Sequence, residues 1–214
     1  MNAKLLSVVL LVLYFLGCTP RVNLVNPGDG AFRKRAPSVF KVLLETSKGE
    51  ILLEVYRDWS PHGVDRFYNL VRTGYYDNNY IFRIRAGTWA QFGINGDPVI
   101  ARAWRGQTLP DDVRKESNIR GTVAYAFKDP NGRTTQVFIN LRDNSATHDA
   151  EPFVPFARVI KGMEVADALY AGYGEKSGGG IRAGHQDSLF SSGNNYLRQN
   201  FPLLDSIRRA RVVK

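Results

Sequence analysis

What this chain lacks narrows its chemistry first. Its 214 residues contain one cysteine, Cys18, so no intramolecular disulfide can form and no cysteine-rich zinc site is possible. Histidine is almost as scarce: His62, His148 and His185 stand far apart with no second ligand at metal-binding spacing, so neither a metal nor another cofactor is expected. The glycine clusters Gly172-Tyr173-Gly174 and Gly178-Gly179-Gly180 lack the strand-then-helix setting of a phosphate-cradling loop. No serine or cysteine nucleophile motif is present. Acidic residues are few too: 20 Asp and Glu face 29 Lys and Arg, giving a formal charge of +9 and a pI near 9.8. The cations are spread along the chain, with a dense run at Arg208-Arg209-Ala210-Arg211, and no recognition motif accompanies them. That pattern suits attraction to anionic surfaces and argues against nucleic acid as a partner.

A hydrophobic run long enough to span a bilayer is also missing. The longest, residues 5–16, is too short to cross comfortably. Preceded by Lys4 and followed by Gly17-Cys18, it is similar to a bacterial lipoprotein signal, which makes residues 1–17 a cleaved leader and Cys18 the lipidated first residue of the mature chain. A plain secretory signal with an incidental cysteine is the alternative. Lys4 is the only charge removed, so the net charge falls by one, from +9 to +8. Thr19 is not the acidic residue associated with inner-membrane retention, which places the expected anchor in the outer membrane, with the protein on the periplasmic side. Residues 18–37 turn to Pro, Asn, Gly, Arg and Lys, with Asn26-Pro27-Gly28-Asp29-Gly30 as turn chemistry, and read as a flexible tether. Residues 38–214 are the expected folded domain, a monomer.

What is present, 43% hydrophobic and 12% aromatic residues, suffices for one packed core. Residues 39–45 and 51–56 are β-rich runs around Ser47-Lys48-Gly49-Glu50, a hairpin pattern. Ser60 and Pro61 open a helix whose Val64, Phe67, Leu70 and Val71 form one apolar stripe before Gly74 ends it. Strands are predicted within 80–93, at 120–126, 135–141, 153–160 and 206–213, and a second helix at 163–171. The excursion 96–116 reads as a loop, and 172–195 has no regular pattern. Many short strands with two isolated helices and no strand-helix alternation predict a mainly β fold, an antiparallel closed barrel capped at its ends.

One stretch needs a functional reason. Alternation over 81–85 puts Arg83 and Arg85 on one strand face with Ile81, and after the break at Ala86-Gly87 it resumes with Trp89 and Gln91. A guanidinium, an indole and a carboxamide on one wall suit a carbonyl-rich ligand such as peptide backbone.

At this point the chain resembles the cyclophilin-type peptidyl-prolyl cis-trans isomerases over about residues 38–213. The resemblance rests on Pro61 to Gly74, Phe82-Arg83-Ile84 to Gln91-Phe92-Gly93, Arg120-Gly121-Thr122, Gln136-Val137-Phe138-Ile139, and Phe156-Ala157-Arg158-Val159-Ile160-Lys161-Gly162-Met163, five pieces in the family's order. The segment Tyr170-Ala171-Gly172-Tyr173-Gly174-Glu175 is similar to a bacterial branch with an extended C-terminal part. The likeness implies an eight-stranded antiparallel barrel with two capping helices, catalysis by Arg83 with Gln91 beside it, and a proline pocket floored by Phe138. It further implies that Ala126 and Gln136 line the groove, with His148 at the rim and proline-containing segments of unfolded or exported proteins as partners. Thr88 stands where the family has a pocket phenylalanine, Phe82 where it has histidine, and Phe127 where it has a small polar residue. Losing one aromatic from the proline site costs about 1 to 3 kcal/mol of binding unless something replaces it, and Trp89 is the candidate replacement. Two functions follow: an isomerase assisting folding in the cell envelope, or a catalytically weakened module that only binds proline-containing segments.

Overall fold

Alternation along Val39–Thr46 (β1) and Glu50–Tyr56 (β2) becomes a hairpin in which every second residue is buried, as a half-buried sheet requires. The computed structural model describes residues 22–178 and 186–214, so the leader, Cys18 and His185 lie outside the described residues. After α1 (Pro61–Arg72) come Asn79–Tyr80 (β3), Arg83–Arg85 (β4), Trp89–Phe92 (β5), α2 (Pro98–Arg105), Thr122–Tyr125 (β6) and Val137–Asn140 (β7). Then follow α3 (Ser145–His148), Pro155–Lys161 (β8), α4 (Met163–Asp167), α5 (Asp187–Asn200) and Ser206–Val213 (β9).

All strands join one antiparallel sheet in the order β3-β9-β1-β2-β8-β6-β7-β5-β4. Its two edge strands, β3 and β4, are separated in the chain only by Ile81 and Phe82, so the sheet has to curl round on itself. The mainly β class stands, while the expected closed eight-stranded barrel becomes, among the described residues, nine strands without a ladder across the seam. The backbone groups at the seam go elsewhere: the Ile81 amide donates to the Asp205 carbonyl and the Ile84 amide to the Gly174 carbonyl. Inside the curl lie Val42, Leu44, Leu53, Val55, Phe67, Ile84, Ala90, Val123, Ile139 and Phe156, all buried.

Helices exceed the expected two. Within 96–116, Asp97 accepts a hydrogen bond from the Val99 amide at 2.8 Å and Pro98 opens α2. The 172–195 stretch supplies most of α5, which kinks at Gly193, where φ is 55° and a Cβ would collide with the Gly96 carbonyl. α2 and α5 close a second apolar cluster around Phe82, Ile94, Ala101, Leu189, Phe190 and Leu197. The helix expected at 163–171 stops at Asp167.

The tether reading is corrected for residues 22–37. The Leu24 carbonyl accepts from the Trp104 indole at 2.8 Å, and Phe32 packs edge-on against Trp104 with centroids 4.8 Å apart. The Ala36 amide donates to Asp65 at 2.8 Å. The turn residues did form a turn, but Leu24 and Phe32 bring enough apolar surface to fix it to α1 and α2.

Ser60 opens α1 without capping it directly. Its hydroxyl donates to Asp112 at 2.5 Å, and Asp112 in turn accepts from the amides of His62 and Gly63 at 3.2 and 3.1 Å. The charge is balanced by Arg133, whose side chain is fully buried and lies 3.1 Å from Asp112 and 3.1 Å from Asp111. Removing one partner of such a pair leaves a buried charge unmet. Arg133→Ala is therefore expected to lower the unfolding free energy by about 3 to 5 kcal/mol, and Arg133→Met by less, as read from denaturant curves.

Candidate active site

Strand register builds the site. Arg83 pairs with Gln91, Gln91 with Phe138, and Phe138 with Ala124, so one cross-strand row runs over β4, β5, β7 and β6. Directly paired residues share a face. The next row, Ile84, Ala90, Ile139 and Val123, points into the core, which leaves Arg83, Gln91 and Phe138 together on the opposite side. With Gln91 between them, the backbones at 83 and 138 lie on the order of 10 Å apart, room for a dipeptide unit under a long arginine side chain.

A chain of polar contacts crosses this face. Arg83 donates from Nη1 to Gln91 Oε1 at 3.0 Å, Gln91 Nε2 donates to Gln136 Oε1 at 2.8 Å, and Gln136 exchanges hydrogen bonds with Gln186 at 2.9 and 3.1 Å. Arg83 Nη2 donates to Glu175 in an ion pair, while the buried Arg83 Nε has no partner among the described residues. Arg83 itself is only 9% exposed.

Beside the polar chain stands a wall of rings. Phe138 meets His148 and Phe153 edge-on, with centroids 5.7 and 5.5 Å apart, and His148 lies 4.7 Å from Phe153. Phe153 also meets Phe127 at 4.4 Å, and Trp89 lies 5.5 Å from His148. The Trp89 ring is 5.6 Å from the Arg83 guanidinium and 5.2 Å from that of Arg85, with its indole N–H buried and unpartnered. Such contacts hold a cation over a ring with about 0.5 to 2 kcal/mol.

Residues 41–181 match the family model of the cyclophilin type peptidyl-prolyl cis-trans isomerases. The chain belongs to the cyclophilin family. It is 34% identical over 157 residues to a peptidyl-prolyl cis-trans isomerase of Streptomyces antibioticus, covering 68% of this chain and 89% of that protein. Peptidyl-prolyl cis-trans isomerase B of Escherichia coli is 28% identical over 136 residues, which is 60% of this chain and 82% of that one. The fold likeness extends to a crystal structure of a cyclophilin type isomerase of Cryptosporidium parvum, with a TM-score of 0.59, 17% identity, and 82% of this chain and 98% of that one covered.

Of the residues singled out in the sequence, this cyclophilin brings Arg83, Gln91, Gln136, Phe138, Trp89 and His148 together. Ala126 flanks them, its amide donating to the Gln136 carbonyl at 2.9 Å. Thr88 does not line the pocket through its hydroxyl. It sits in the turn after Gly87, where its amide bonds the Arg85 carbonyl at 2.9 Å and its own carbonyl accepts from Leu141 and from Asn144, both at 2.9 Å. It thereby positions the loop that carries His148. Sequence reading missed three members. Phe153 adds a ring to the wall beside Phe138, and its partner Phe127 stands out in the sequence only as a departure from the family. Glu175 and Gln186 reach the site from a Gly-rich region without periodicity, and their only advance signal was the similarity of 170–175 to an extended branch. Among the described residues no cluster of potential metal ligands occurs.

Burial holds the His148 imidazole below its ordinary 6.5, against the raising pull of Asp149 and Glu151 and with the help of Arg142. Its folded pKa is thus lower than its unfolded one. Above pH 6.5 it adds nothing, and as pH falls through the window below 6.5 the unfolded chain takes a proton that the folded one refuses, so stability drops. His148 is expected to titrate below 6.5 by NMR, and His148→Phe to flatten this part of the stability profile between pH 7.5 and 5.

Proposed function

We propose that the chain is a peptidyl-prolyl cis-trans isomerase acting on X-Pro bonds of exported proteins in the cell envelope, held to the outer membrane through lipidated Cys18. The observation that carries the catalytic part is the row Arg83, Gln91, Phe138 on one face of the sheet. The anchoring part rests on the leader pattern before Cys18 and on the basic surface, which suits an anionic lipid interface.

The reaction has no covalent step. Rotation about an X-Pro bond meets a barrier of roughly 18 to 20 kcal/mol because amide resonance must be broken. As the bond twists, the prolyl nitrogen becomes pyramidal and its lone pair localises. A hydrogen-bond donor aimed at that nitrogen stabilises the twisted state more than either planar state, which is what lowers the barrier. Phe138 buries the proline ring, with His148 and Phe153 closing the pocket behind it. Gln91 holds Nη1 of Arg83, which fixes the guanidinium beside the groove and leaves Nε and Nη2 as the donors a peptide can take from Glu175. Gln136 presents its amide to the residues before proline, and the permanent charge of arginine keeps the donors in place at any physiological pH. The ring cluster supplies apolar area beside Phe138, and membership in the isomerase family is what favours turnover over binding alone.

A lysine keeps the charge but not the two-donor edge. Arg83→Lys is expected to lose on the order of 100-fold or more in kcat/KM in a protease-coupled proline assay, with its thermal unfolding midpoint retained. Wild-type turnover in this variant would contradict the assignment.

A further inference from the structure

The guanidinium of Arg83 is engaged before any substrate arrives. An arginine can present Nε and one terminal nitrogen as a side-on fork, as Arg57 does with both oxygens of Asp65 at 2.9 and 2.8 Å. In Arg83 this same fork is half used: Nη2 donates to Glu175, and Nε is buried with no partner among the described residues. With Nη1 held by Gln91, a peptide that takes this fork has to displace Glu175.

Glu175 is built into this position. The Ile84 amide donates to the Gly174 carbonyl at 3.2 Å, and the Ser177 hydroxyl donates to the Phe82 carbonyl at 2.6 Å, so the residues on both sides of Glu175 are bonded to those on both sides of Arg83. Tyr173 is fixed from behind by Tyr170 and by Phe201, with centroids at 5.1 and 5.2 Å. The backbone is thus pinned along the free edge of β4. The Glu175 side chain remains 19% exposed, so it can leave Arg83 by a change of rotamer alone.

We propose that Glu175 is a specificity-determining residue of the groove: it occupies Arg83 in the free protein and yields it most readily to segments carrying a cation beside the proline. This rests on the isomerase site described above. When a peptide takes the fork, the carboxylate loses its partner in a partly desolvated place, which is costly. A lysine or arginine near the X-Pro bond supplies a new one, whereas a neutral segment leaves the carboxylate to water and an acidic segment adds repulsion. The neighbouring Arg85 and the overall positive charge act on every peptide in both wild type and variant, so a comparison between the two isolates Glu175.

The test uses three peptides that differ only in the residue beside a single Ala-Pro: Lys, Gln or Glu. Affinity is read from intrinsic tryptophan fluorescence or NMR titration, with turnover measured in parallel. Wild type is expected to bind the Lys peptide roughly tenfold more tightly than the Glu peptide. In Glu175→Gln, and in Glu175→Ser as a second variant, this ratio should fall to about threefold or less, while the Gln peptide binds more tightly than to wild type. An unchanged ratio, weaker binding of the Gln peptide, or no binding to any of the proteins overturns the role of Glu175. Binding with the expected ratios but without turnover supports Glu175 and overturns the isomerase reading instead.

Discussion

One constraint carries the structure: the register that pairs Gln91 with Arg83 on one side and with Phe138 on the other. Because side chains alternate along a strand, a slip of one residue would send Arg83 into the core and Ile84 to the outside. The inward row of Ile84, Ala90, Ile139 and Val123 opposes that slip through buried apolar area, worth about 1.5 to 3 kcal/mol for each large side chain. Core packing and active-site geometry are thus two faces of the same ladder. What holds the protein folded also sets the distance between the cation and the ring.

The outer face is expensive to build. Arg83 is only 9% exposed, and both Arg83 Nε and the Trp89 indole are buried donors without acceptors among the described residues. A buried donor left unmet costs about 1 to 3 kcal/mol. Such a cost is concentrated where a carbonyl-rich ligand would relieve it, in keeping with the general finding that strain and unmet polarity gather at functional sites. Glu175 and the polar chain through Gln136 to Gln186 offset part of it in the free protein.

Much of this was legible in the sequence, for identifiable reasons. The β1–β2 hairpin follows from period-2 patterning, and α1 from a single apolar stripe with Pro61 at its start. Arg83, Gln91 and Trp89 could be placed on one face because alternation resumes after Ala86-Gly87. The rest depends on contacts that no local pattern encodes. Glu175 meets Arg83 across 92 positions, and Asp112 caps α1 from 49 or more residues away. α5 is poor in helix formers and exists because its apolar face covers Phe82 and α2, so propensity gave no hint of it. Residues 22–37 look like a linker by composition, yet Leu24 and Phe32 find Trp104. The barrel seam was expected to be a ladder, and it is covalent chain instead, since the donors of Ile81 and Ile84 are taken by Asp205 and Gly174.

The most direct measurement is magnetisation exchange on an Ala-Pro peptide with a small amount of the protein added, because it observes the rotating bond itself and needs no coupled protease. Uncatalysed rotation takes tens to hundreds of seconds. The account predicts cis-trans exchange cross-peaks within a mixing time of about one second, with the largest shifts in the protein at Arg83 and Phe138. Cross-peaks no stronger than in peptide alone, at a concentration where those shifts show the peptide bound, would contradict it.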